Sequence, residues 1–267
     1  MARQFEKLIL LLVIITIPSC LSLSLIEGHY HTWWAVVQLP RQDVQDMLPK
    51  NMPNRNFTLQ KPKLKGLKDA MHPVVFELGT EIHTGPIFPG FLQKTFTEFK
   101  FEIPWVNQAG KSTPTVYKYV IYTNSSFESF STREFYNLNS AAIRMNMSAN
   151  SYFMQYKDTS SKLRAEFQNQ TAKFSPASSY KYFSVYQQVM SQEWFGDADP
   201  KTYTCANHHY DFSTTKVRPA KMQLMVSNGL LPPKFPTNKL IATPGLNQPL
   251  GTAEVFTTFK LTLPHSC

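Results

Sequence analysis

Residues 94–148 read KTFTEFKFEIPWVNQAGKSTPTVYKYVIYTNSSFESFSTREFYNLNSAAIRMNMS, and the reading of this stretch decides the fold. Residues 96–103 (FTEFKFEI) alternate aromatic or aliphatic side chains with polar ones. Residues 116–122 (VYKYVIY) are dense in β-branched and aromatic types, and residues 141–147 (AAIRMNM) alternate again. A period of two and a high β-branched content are the marks of strands. Between the second and third segments lies TNSSFESFSTREFYNLNS. Its Ser and Asn content cannot continue a strand, so the passage crosses between strands.

Working outward, residues 30–39 (YHTWWAVVQL) predict a strand closed by Pro40. Residues 41–48 place Val44, Met47 and Leu48 on one helical face, and Pro49 ends that helix. Residues 73–82 (PVVFELGTEI) predict another strand, and GPIFPG at 85–90 a turn. Toward the C-terminus, residues 151–156 and 162–167 are set to pair across a short polar turn. A helix is predicted from about Tyr182, with Phe183, Tyr186, Val189, Met190 and Trp194 near one face. Short strands follow at 202–206, 211–215 and 220–226, then a Pro-rich connection and a last strand at 254–263. Many short strands, 19 prolines, few helices and no internal repeat predict a mainly β chain, an antiparallel barrel or sandwich with a few short helices.

The flanking composition sets the expected address. A basic-ended opening (MARQFEK) precedes the apolar run 8–17 and Pro18-Ser19-Cys20, the pattern of a secretory signal peptide over residues 1–20, with one domain over residues 25–267. The alternatives are a retained anchor or a lipid-modified Cys20. No second long apolar run follows, so no stable membrane span is expected. Four N-x-Ser/Thr sequons, at Asn56, Asn124, Asn146 and Asn169, favour a glycosylated protein of the secretory lumen or exterior. In that compartment Cys205 and Cys267 can form a disulfide; two free thiols or an intermolecular bond remain open. The formal charge of +9 is spread along the chain, and its one cluster, Lys61, Lys63, Lys65 and Lys68, sits in a Pro- and Gly-containing loop. No nucleic-acid motif accompanies it, and no nucleic-acid partner is expected.

Several short motifs occur in a fixed order. They are Trp34-Ala-Val-Val-Gln-Leu-Pro followed by Asp43-Val-Gln-Asp-Met-Leu-Pro49, Val75-Phe76-Glu77, Glu98 with Ile103-Pro104, Arg133-Glu134-Phe135-Tyr136-Asn137-Leu138-Asn139-Ser140-Ala141, and Phe259-Lys-Leu-Thr-Leu-Pro264. Together they span most of residues 30–264 and resemble the ordered motifs of the acetoacetate decarboxylase-like β-barrel family. The resemblance implies a carbon–carbon lyase without a cofactor, in which a buried lysine forms a Schiff base with a β-keto acid and a neighbouring cation lowers that lysine's pKa. In this chain the nucleophile position falls on Ser140 and its neighbour on Ala141. A hydroxyl forms no imine. Asn137-Leu138-Asn139 replaces the family's Gly-Phe-Pro, a family arginine falls at Tyr30 or its histidine neighbours, and the two carboxylates, Glu77 and Glu98, are kept. The pocket residues that the resemblance implies are Arg133, Tyr136, Ser140 and Ala141.

Strand parity tests these positions separately. A glycan on Asn146 would put Ser140, Ala142, Arg144 and Ser148 on a solvent face, with Ala141, Ile143, Met145 and Met147 inward. The same count sets Glu98, Lys100 and Glu102 opposite Phe99, Phe101 and Ile103, which predicts a solvated face for Glu98; for Glu77 a solvated face and a pocket are equally open. His208 and His209 near Asp211 offer nitrogen ligands, but adjacent strand residues face opposite ways and no third ligand has metal spacing, so no metal is expected. There is no G-x-S-x-G elbow. Trp33 and Trp34 are read as core. The expected function is a barrel holding a small apolar or weakly anionic organic molecule without Schiff-base chemistry. The alternative is a decarboxylase-type enzyme using a relocated lysine, Lys118 or Lys157, or Glu77 and Glu98 as acid and base; a third is a cell-surface glycoprotein with a filled barrel. A lysine amine inside the barrel beside the two glutamates would contradict the first premise, that the barrel lacks an amine.

Overall fold

One long strand sets the architecture because both of its faces are apolar. In β1 (Ser24–Pro40), Trp33, Ala35, Val37 and Leu39 turn to one side and Tyr30, Trp34 and Val36 to the other, and all are buried. A strand buried on both faces needs a layer on each side. A computed structural model describes residues 24–267 of the chain except 51, 53–55, 88–89, 157–159, 202–203 and 228. The leader expected over residues 1–20, Lys157 and the start of the 202–206 strand lie outside the described residues.

β1 pairs on one side with β3 (Met71–Pro86), and β4 (Lys94–Gln108) and β5 (Thr115–Thr123) continue the antiparallel order. The short β2 (Phe57–Leu59) adds to the far end of β4. Beyond β5 the pairing turns parallel, to β6 (Ser140–Ala142) and to β11 (Trp194–Phe195). On the other side β1 meets β16 (Ala253–Thr262). The segment formed by β12 (Thr204–Ala206) and β13 (His208–Tyr210) joins the two edges, β12 pairing with β11 and β13 with β16. The sheet therefore closes on itself through β1, β3, β4, β5, β11, β12–β13 and β16. Closure leaves an enclosed interior and removes the open edges.

A second layer covers the outer face. It consists of β7 (Arg144–Met147), β8 (Ser151–Gln155), β9 (Lys162–Asn169), β14 (Lys216–Val226) and β15 (Leu240–Thr243) in antiparallel order. The first half of β14 pairs with β16 and with the two-residue β10 (Ser175–Pro176), so one strand belongs to both layers. Between the layers Trp33, Phe76, Phe99 and Phe101 pack with Phe167, Met222 and Leu224, and Trp33 stacks on Phe167 at 4.1 Å. The polar residues of β9 alternate outward, a half-buried strand as its period predicts.

The helices are short. α1 (Arg41–Asp46) continues from β1 and buries Val44. The Ser/Asn-rich crossing is itself mostly a helix, α2 (Ser126–Tyr136), because Ser125 Oγ accepts from the Glu128 N–H at 3.2 Å, and Asn137 ends it at φ 55°. α3 (Ser184–Met190) buries Val185, Tyr186, Val189 and Met190, but it stops there; Trp194, expected on the same helix, opens β11. The strand expected at 211–215 is a turn, since the Asp211 carboxylate accepts from the Ser213 N–H at 3.0 Å and from the Thr214 hydroxyl at 2.8 Å. The strand lies earlier, as β13. Cys205 and Cys267 are bonded, which fastens β17 (His265–Ser266) to β12.

Candidate functional site: a buried charge network and the cavity beside it

The face of β4 read as solvated looks into the closed barrel. Glu98, Lys100 and Glu102 are each about as buried as the aromatic residues behind them. Alternation marks two faces, but only the closure decides that the polar one is covered. Glu77 and Glu81 of β3 turn the same way, with Gly79 between them; a side chain there would collide with Thr32 and the His31 carbonyl.

β5 adds a second lysine through a defect in its register. Phe101 pairs with Val120 and Glu102 with Lys118, which leaves Tyr119 as an extra residue. Ile121 belongs to the interior cluster, and two-residue alternation from it would aim Tyr119 and Tyr117 inward. The bulge reverses that order and turns Lys118 in. Tyr117, Tyr119 and Val120 go to the outer layer.

The ammonium of Lys100 touches Glu98 Oε1, lies 3.2 Å from Glu81 Oε1 and 4.0 Å from Glu77 Oε2. Lys118 Nζ is 2.5 Å from Glu102 Oε1 and 3.8 Å from Glu77 Oε1. Glu77 thus stands between the two lysines. Trp34 Nε1–H donates to Glu77 Oε2 at 3.2 Å, and the Tyr210 hydroxyl donates to the same oxygen at 3.5 Å. Each lysine also rests over an aromatic face, Lys100 at 4.7 Å from the Tyr30 ring centre and Lys118 at 5.0 Å from that of Trp194.

Burial and charge act on these groups in opposite directions. Burial, helped by Glu81, pushes the Glu98 carboxyl well up, and burial brings that of Glu102 to about 7 against the pull of Lys118. Burial also acts to raise Glu77, but Lys100 and Lys118 together hold it below the ordinary carboxylate range. For Lys100 burial favours the neutral amine, yet Glu77, Glu98 and Glu81 outweigh it and keep the ammonium form. His208, stacked on Trp194 at 5.5 Å, is pushed well down by burial and then by the two lysines, so it is a neutral imidazole. The raised Glu98 and Glu102 carboxyls relieve part of the negative charge that the glutamates would otherwise bring to the interior.

The residues assigned to a pocket from the sequence part company here. The register carries Ser140 to Ile121, Ile121 to Lys100, Lys100 to Glu77 and Glu77 to Trp34, one cross-strand row. Ser140 is half-buried, with an Oγ that is enclosed and makes no hydrogen bond, so it does not share the solvent exposure of Ala142, Arg144, Asn146 and Ser148. Tyr136 packs against Trp194 at 5.6 Å, and its hydroxyl donates to the Thr262 carbonyl at 3.4 Å. Ala141 turns to the outer layer, and Arg133 is exposed on α2. Lys100, Trp194 and Tyr210 complete the interior and were not singled out as site residues; Tyr30, where the resemblance placed a family arginine, and His208, weighed only as a metal ligand, join them. The one signal was a lysine and two glutamates at alternate positions, interleaved with Phe99, Phe101 and Ile103.

At one mouth of the barrel a cavity of about 590 Å³ is walled by Tyr210 and Phe259 and rimmed by Glu27, Asp211 and Lys260. Tyr210 separates it from the network, its ring in the cavity wall and its hydroxyl on Glu77. Of the sequon asparagines, Asn56, Asn124 and Asn146 are exposed. Asn169 is half-buried and, in the orientation that satisfies its amide, donates to Glu254 Oε2 at 3.3 Å and accepts from Arg218 at 3.1 Å. Among the described residues no helix is long and apolar enough to cross a membrane, and no group of three or more His, Cys, Asp or Glu is placed to hold a metal ion.

No family model matches the chain, and no curated protein matches it in sequence. Solved structures do match in shape. Acetoacetate decarboxylase from Legionella pneumophila superposes with a TM-score of 0.57 over 94% of this chain and 92% of that one at 11% identity. The enduracididine biosynthesis enzyme MppR, solved with pyruvate, gives 0.54 over 92% and 90% at 8% identity. An acetoacetate decarboxylase-like enzyme from Sphingomonas wittichii gives 0.53 over 94% and 97% at 7% identity. The chain has the acetoacetate decarboxylase-like fold, as the ordered motifs implied.

Proposed function

We propose that this chain is a secreted glycoprotein that binds a small organic molecule in the cavity at the barrel mouth, and that it does so without Schiff-base chemistry. The expectation that the interior lacks an amine is overturned, since Lys100 and Lys118 both enter it. The observation that carries the reading is the position of Glu77 between those two amines. An imine-forming lysine attacks as the free base, which a second cation beside it promotes. A shared carboxylate opposes it. The network is therefore an enclosed, internally paired scaffold behind the cavity, and the cavity is of the size that takes a small ligand. MppR, which shares the fold, was solved with pyruvate in complex, and a small-molecule site in this architecture is in keeping with that.

One observation favours a second reading, a lyase with a relocated nucleophile. The bulge at Tyr119 aims Lys118 inward beside Glu102, whose carboxyl near 7 could pass a proton. Borohydride treatment with pyruvate or acetoacetate separates the two. The binding reading expects intact mass unchanged; a stable adduct mapped to Lys118 would replace it with the lyase. Native mass spectrometry of protein from its own source should in addition show a retained small molecule.

A further inference from the structure

The reading of the cavity as a binding site can be taken to the class of ligand, and the inference rests on that reading. We infer that the cavity selects a small organic ammonium ion with an apolar body, not the organic acids handled by proteins of similar shape. The first ground is local charge. The rim carries Glu27 and Asp211 against Lys260, and the Glu77 carboxylate stands behind Tyr210. Carboxylates outnumber lysines at this rim in a chain whose formal charge is +9, so the rim runs against the charge of the molecule as a whole. Low-dielectric walls focus such a local field on whatever enters.

The second ground is the aromatic wall. Tyr210 presents its ring to the cavity while its hydroxyl donates to the Glu77 carboxylate. That donation makes the ring more electron-rich, and an electron-rich face is a seat for a cation within about 6 Å. The barrel already uses this arrangement twice, with Lys100 on Tyr30 and Lys118 on Trp194. Tyr210 lines the cavity, packed among Phe212, Phe259 and His208, so a cation entering there meets aromatic surface. Phe259 beside it supplies apolar surface, and His29, His83 and His209 line the same cavity.

The test is a matched pair of probes with one body and opposite charge, phenethylamine and 3-phenylpropionate, titrated calorimetrically into the full oxidised chain at pH 7.5 and low salt. The amine is expected to bind at least tenfold more tightly. Lys260→Gln, a change at an exposed residue, should strengthen amine binding several-fold; Glu27→Gln should weaken it by a similar factor, and Tyr210→Leu by tenfold or more, with thermal melts confirming that each variant folds. Tighter binding of the acid, or amine binding indifferent to Lys260→Gln and Glu27→Gln, overturns the inference and leaves the binding reading in place. Binding of neither probe also overturns it, and the broader reading then falls only if protein from its own source carries no guest.

Discussion

At the scale of residues the protein is governed by Glu77 and Glu102, two carboxyls on one network driven in opposite directions. Replacing Glu77 with Gln leaves Lys100 and Lys118 without their shared counter-charge in a site closed to water, and breaking a buried ion pair from one side costs about 3–5 kcal/mol. Urea unfolding should register that loss. Glu102 predicts a pH dependence. Its carboxyl is raised from 4.5 in the unfolded chain to about 7 in the folded one, so between those values the folded state binds more protons. Stability therefore falls as pH rises through that window, by roughly 3 kcal/mol from this group. Glu102→Gln should flatten the decline between about pH 4.5 and 7, and the difference between wild-type and variant unfolding curves isolates the group. An identical slope in the variant would refute the assignment. None of this was legible at Glu98, Lys100 and Glu102 from alternation alone, because a period of two separates two faces without saying what covers either.

At the scale of elements the decisive feature is the extra residue of β5. Deleting Tyr119 would restore plain alternation through Val120 and Lys118, keeping Lys118 inside the barrel opposite Glu102 and Tyr117 in the outer layer. Amine labelling read by mass spectrometry should find Lys118 protected in the parent chain and in the deletion variant alike; a reactive Lys118 in the variant would show that Tyr119 is not the extra residue. Such a bulge leaves no mark in VYKYVIY, where every position suits a strand. The helix α2 did leave one, since Ser125 stands three residues before Glu128, but the signal is diluted among neighbouring serines. Ser125→Ala should lower thermal stability by about 1 kcal/mol through the lost cap. Strands β3, β4, β8 and β9 were readable because their patterns run unbroken to a turn. The 211–215 segment misled because Asp211 gathers Ser and Thr hydroxyls into a turn that strand-forming residue types conceal.

At the scale of the whole molecule the fold was legible as an ordered set of weak motifs, whereas the position of the charge network depends on pairings far apart in sequence. The bond between Cys205 and Cys267 spans 62 residues, and removing it should cost about 4 kcal/mol on a chain-entropy account. Reduction should lower the melting temperature and release β17, with hydrogen exchange at His265 and Ser266 rising first.

The pairing of β1 with β16 joins Ser24 to Thr262 and Trp34 to Ala253, and it bears on how the protein is made. A nascent chain holding β1, β3, β4 and β5 can assemble a meander on the ribosome, but its first strand stays unmated on one edge while the whole stretch from Thr123 to Ala253 is translated. Contacts of such separation form slowly, and an exposed edge invites pairing with other chains. Biogenesis should therefore depend on a chaperone that shields this half-built sheet, and chains interrupted before Ala253 should be recovered as aggregates.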